Sequence, residues 1–133
     1  MFKININFSG QKPPKAPYSR MSIDEIYGYL LWEAELTVTY NNQIIFAEEV
    51  AIIEFYWYLV NWYRRYLIGN ADQFVYSTVE HTEPILVFSP QQNQYWKIDS
   101  VWKQCDKPAL IKEEILHSEV HKLLERITLE IEA

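Results

Sequence analysis

IEFYWYLVNWYRRYL, Ile53–Leu67, sets seven aromatic side chains in fifteen residues and closes with two arginines. At about 100° per residue, Phe55, Leu59, Trp62 and Tyr66 stack on one line. Ile52, Tyr56, Val60 and Tyr63 fill the next quadrant, and Glu54, Asn61, Arg64 and Arg65 take the opposite arc. The period predicts a helix with a wide aromatic core stripe. Charge agrees with it. Glu48 and Glu49 are expected at the positive end of the helix dipole and Arg64 and Arg65 near its negative end, each worth about 0.3–1 kcal/mol. Gly69–Asn70 is a natural stop. Trp57 and Tyr58 fall on the polar arc, so they are either covered by another element or exposed.

Outward from this helix the period changes. Phe2, Ile4, Ile6 and Phe8 alternate with Lys3, Asn5 and Asn7, as in a half-buried strand. Residues 9–21 are proline-rich without apolar periodicity and read as a loop or arm. Ser22–Glu25, SIDE, has the capping-box pattern of a brief helical turn. Tyr29–Tyr40 reads as a long strand with Glu33, Glu35, Thr37 and Thr39 on its wet face. The paired asparagines of YNNQ suit a two-residue hairpin returning along Gln43–Ala47. After the helix, Phe74–Glu80, Pro84–Ser89 and Tyr95–Trp102 form a meander of three short strands. Ile111–Ile131 carries Leu116, Val120, Leu123, Leu124, Ile127 and Ile131 on one helical stripe. No strand–helix–strand alternation recurs. The expectation is one domain over 1–133, of α+β class: a single antiparallel sheet of about six strands with two main helices packed on it.

Of the 133 residues 49% are hydrophobic and 23% charged, an ordinary globular balance. The net charge is −6, unevenly spread. Residues 1–20 hold Lys3, Lys12, Lys15 and Arg20 and no acid, whereas residues 21–63 hold seven acids and no Lys or Arg. Such a chain repels phosphate, so no nucleic acid is expected as partner. Glu54, Asn61, Arg64 and Arg65 interrupt Val50–Ile68, so no membrane span is expected. Cys105 is the only cysteine, and Met1–Gly10 lacks an apolar signal core; both favour a cytoplasmic setting.

Catalytic and metal signatures are weak. His117 and His121 lie four apart in HSEVH, the spacing of a metal pair on a helix, but Ser118 stands where a zinc protease needs Glu. Solvent-side histidines are the simpler reading. Glu33 and Glu35 lie two apart on a strand, about 7 Å. Threonine neighbours make them a solvated face rather than an acid–base dyad. Cys105 has no relay, and three glycines build no phosphate loop. No catalytic residue and no cofactor is expected.

The hairpin and helix WEAELTVTYNNQIIFAEEVAIIEFYWYLVNW, with PILVFSPQQNQYWKIDSVW of the meander, resemble small uncharacterised cytoplasmic proteins of Bacillus-like bacteria. In size, acidity and layout these are similar to immunity proteins of bacterial toxin systems. The resemblance implies a non-enzymatic acidic binder that covers a basic protein partner such as a toxin. The expected contacts are Glu33, Glu35, Glu48, Glu49 and Trp57, with Glu80 and Glu83 at the margin. Two alternatives stay open. One is a small-molecule-binding or enzymatic domain with an aromatic-lined pocket. The other is a homo-oligomeric module, such as a homodimer paired through a sheet face.

Overall fold

Hydrophobic alternation makes the strands, and pairing between distant residues then sorts them into sheets. The computed structural model describes residues 1–8, 22–70, 72–78 and 84–132. Strands β1 (Phe2–Asn7), β2 (Glu33–Tyr40) and β3 (Gln43–Ala51) form one antiparallel sheet in the order β1-β2-β3. Helices α1 (Ile23–Leu30) and α2 (Ile52–Leu67) precede β2 and follow β3. Strands β4 (Phe74–Tyr76), β5 (Leu86–Pro90), β6 (Tyr95–Asp99) and β7 (Ala109–Lys112) form a second antiparallel sheet in chain order, and α3 (Glu113–Glu132) closes the chain.

The architecture is α+β, but the single six-stranded sheet with two helices is not what forms. Among the described residues there are two separate sheets, of three and four strands, and three helices. The physical reason lies in α2 and α3. Phe55 and Trp62 of α2 pack edge-on against Phe74, while Trp62 also meets Phe88 and Trp96. Helix α3 packs on β1 of the first sheet and on β6 and β7 of the second. The helices bridge the sheets through one buried cluster, so continuous pairing from β3 to β4 is not needed to bury both.

Several element boundaries also move. The capping box at Ser22 and Glu25 forms in both directions, at 3.2 and 3.3 Å, and the helix it starts runs to Leu30 rather than stopping after a turn. β2 therefore begins at Glu33, not Tyr29. β3 continues to Ala51, because Ala34 pairs with Val50 and Glu33 with Ala51. Glu48 and Glu49 are thus strand residues, and α2 starts at Ile52 with Glu54 in its first turn. Ala109–Lys112 pairs with β6 as a fourth meander strand, so α3 begins at Glu113 instead of Ile111.

Asn41 and Asn42 turn the β2–β3 hairpin with φ of 51° and 65°, the left-handed pair that a two-residue turn demands. The register slips between Val38 and Thr39, leaving Ile45 as an extra residue. That bulge lets Ile45 and Phe46, adjacent in sequence, both be buried. Among the described residues no helix is long and apolar enough to cross a membrane.

Candidate functional site

The hairpin register arranges the carboxylates. Glu35 stands directly opposite Glu49, and Glu33 stands opposite Ala51 in the next row. Paired residues share a face, so Glu33, Glu35 and Glu49 project together from the outer face of the first sheet. Glu48 is paired with Leu36 and belongs to the other pleat. It is exposed all the same, because β3 is the last strand of its sheet. The described ion pairs are Arg65–Asp72, Lys103–Asp99, His121–Glu125 and Lys122–Glu119. None involves Glu33, Glu35, Glu48 or Glu49.

Beside these acids lies a groove of about 370 Å³. Leu30, Leu31, Glu33, Glu48, Glu49 and Glu54 contribute to it from α1, the first sheet and α2. Tyr76, Ile85 and Trp102 line it from the side of the second sheet, so it lies where the two sheets part. Leu31 is 69% exposed, an apolar side chain held in water among carboxylates. The Tyr76 hydroxyl donates to Glu54 Oε1 at 3.3 Å. Burial, then the Glu54 charge and that hydrogen bond, then Tyr58, push the Tyr76 phenol well above its usual range, so it stays a donor to Glu54.

Trp57 is 70% exposed, one helical turn beyond Glu54. Tyr58, also exposed, packs edge-on against Tyr76 at 5.4 Å. Of this off-stripe pair, Tyr58 thus borders the groove through Tyr76. Glu80 and Glu83 lie outside the described residues. Sequence reasoning missed Leu30 and Leu31, which it placed in a strand. The spacing Ile23, Tyr27, Leu30 after a capping box was the available signal.

A second cleft, about 480 Å³, opens around Tyr66, Tyr95, Lys112, Glu113 and His117. Burial, then the charge and hydrogen bond of Glu113, then Tyr63, push the Tyr66 phenol up to about 12. The two histidine rings of HSEVH stack 6.4 Å apart but have different polar partners. The His117 ring lies 3.1 Å from the Tyr63 hydroxyl through Nδ1, while His121 Nε2 lies 2.9 Å from Glu125. Among the described residues no three His, Cys, Asp or Glu side chains converge as a metal site. The Cys105 thiol is half-buried and donates to the Lys107 carbonyl at 3.2 Å.

Fold and groove together define an aromatic-rich α+β domain whose β2 and β3 carboxylates pair with no described cation. Residues 4–133 match the family described as a domain of unknown function (DUF7878), and the chain belongs to that family. No curated protein and no solved structure matches it.

Proposed function

We propose that this chain is a non-enzymatic binding protein of the cytoplasm that docks a basic protein partner through the β2–β3 carboxylates and the groove beside them. One observation carries the reading: Glu35 and Glu49 face each other across adjacent strands, and no described Lys or Arg answers them. Like charges set directly opposite destabilise a sheet by about 0.2–1 kcal/mol. The fold bears that cost in the free state, and a cationic surface relieves it in the complex. Leu30, Leu31 and Trp57 supply exposed apolar groups next to the charge, the composition of an anchor ringed by polar contacts. The resemblance in size, acidity and layout to immunity proteins suggests the narrower form, in which the partner is a toxin and the acids cover its basic active site. Such a site attracts an acidic inhibitor at long range, while the same acids repel nucleic acid.

The test compares the wild type with a Glu33→Gln, Glu35→Gln, Glu48→Gln, Glu49→Gln variant. Proteins captured by the wild type alone are produced separately and their affinity measured in pure form. The expected result is a basic protein whose binding weakens about tenfold or more in the variant, and likewise between about 50 and 500 mM salt. For a toxin, co-production also relieves growth arrest. A purified partner that ignores both the substitutions and the salt rejects the reading.

The cleft at Tyr66 favours a second reading, a small-molecule site, because a raised phenol, a half-buried imidazole and Lys112 converge on it. A fragment titration followed by NMR separates the two: shifts confined to Tyr66, Tyr95 and His117 favour this one.

A further inference from the structure

The first sheet has two edges, and they differ. On β1 the Ile4 N–H is taken by Glu119 Oε1 of α3 at 3.2 Å. On the other side β3 ends the sheet. The pairing fixes which way its backbone groups point. The Ile52 N–H donates to the Trp32 carbonyl at 2.9 Å, one step beyond the Glu33–Ala51 pair. Hydrogen-bonded and non-bonded pairs alternate along an antiparallel ladder. Ala34–Val50 and Leu36–Glu48 are therefore the bonded pairs, and the N–H and C=O of Ala47 and Glu49 point away from β2. Past the bulge, the Ile44 carbonyl accepts from the Gln104 N–H at 3.1 Å. No described group pairs with the outward backbone of Ala47 or Glu49.

We propose that this edge takes an extended basic segment of the partner as an added strand, paired to the backbone of Ala47 and Glu49. This rests on the docking reading and specifies how the partner is held. Alternate side chains of an added strand fall on opposite faces. Lys or Arg beside Glu49 then meets Glu35 and Glu49, while apolar side chains suit Leu31, Ile85 and Trp102 in the adjoining groove. Charge complementarity selects the occupant. A second copy of this chain, paired edge to edge, would set Glu48 and Glu49 against their own counterparts. Residues 9–21 carry Lys12, Lys15 and Arg20, but Pro13, Pro14 and Pro17 have no N–H to give a ladder.

The probe is a synthetic peptide of about seven residues alternating lysine and valine, long enough to span Ala47–Ala51 at about 3.3 Å per residue. Its control is the same peptide methylated at every backbone nitrogen, which keeps the charge and loses the donors. At low salt the free-amide peptide is expected to bind about tenfold more tightly than the control and to slow amide exchange at Ala47 and Glu49. Ala47→Pro, tolerable where the N–H faces outward, is expected to bring the free-amide peptide down to the control's affinity. If that variant does not fold, the peptide pair still decides. Equal binding of the two peptides overturns strand addition and leaves charge-driven docking intact. Failure of both peptides to protect Ala47 and Glu49 overturns it too. So does a chain that sediments at twice its mass with those amides already protected, since the occupant is then a second copy. Loss of the docking reading itself shows separately, as a purified partner indifferent to the four Glu→Gln changes.

Discussion

Trp62 touches both the aromatic core and the loop after α2. Its ring meets Phe74, Phe88 and Trp96 edge-on, and Nε1 donates to the Asp72 carbonyl at 2.7 Å. Trp62→Ala removes those contacts and leaves a cavity, at a cost of about 3–5 kcal/mol. That is a large part of the roughly 5–15 kcal/mol a native domain has. Urea unfolding is expected to show a much lower midpoint or no folded baseline. Tyr66 carries a pH prediction. Its phenol is pushed up to about 12, so the folded chain holds this proton more tightly than the unfolded chain does. The contribution is fully present below about pH 10 and is lost as pH rises through about 12. Unfolding free energy is expected to fall across that window, and to fall less steeply in Tyr66→Phe. Tyr63 and Tyr76, both raised by burial first, account for the remainder. Denaturant melts at stepped pH check it; equal slopes in both proteins refute the assignment to Tyr66.

At the scale of elements, the Glu35–Glu49 pair sets stability against the proposed binding. Glu49→Gln removes a cross-strand repulsion and is expected to raise stability by about 0.2–1 kcal/mol, read as a higher denaturant midpoint. The same change is expected to weaken partner binding. A variant that loses stability instead shows that the pair is satisfied in the free chain. The elements themselves are largely legible in the sequence, since their signals are short-range. The alternation of Phe2–Asn7, the asparagine turn and the 3.6 period of α2 and α3 each lie within a few residues. The ends of β3 and β7 are not legible that way. Val50 is a strand residue because Ala34 lies opposite, and Ile111 because Trp96 does. The site divides likewise. A basic-free stretch singles out Glu33, Glu35, Glu48 and Glu49. Glu49 facing Glu35 depends on a register that only the folded hairpin defines.

The separation of the sheets belongs to the whole molecule, and it gives the acids their setting. Any strand edge offers the same N–H and C=O groups, so the order of strands joined by α2 cannot be read from local pattern. Because β3 stays an edge, Glu48 and Glu49 keep a free border and a groove opens beside them. In the proposed docking, this splits the kinetics into two parts. Carboxylates at the rim act at a distance, through a field that salt screens over about 10 Å at 0.1 M. In the same proposal, exposed Trp57 acts only on contact, by leaving water. With a purified basic partner, the association rate is expected to fall about tenfold or more between about 20 and 500 mM salt, with dissociation changing far less. The four Glu→Gln changes are expected to bring low-salt association down to the high-salt value. Trp57→Ala, with a surface change's stability cost of about 0.5 kcal/mol or less, is expected to leave association alone and to speed dissociation about tenfold or more. Stopped-flow mixing resolves both rates. An association rate flat in salt removes the electrostatic half of the model, and unchanged dissociation in Trp57→Ala removes the apolar half.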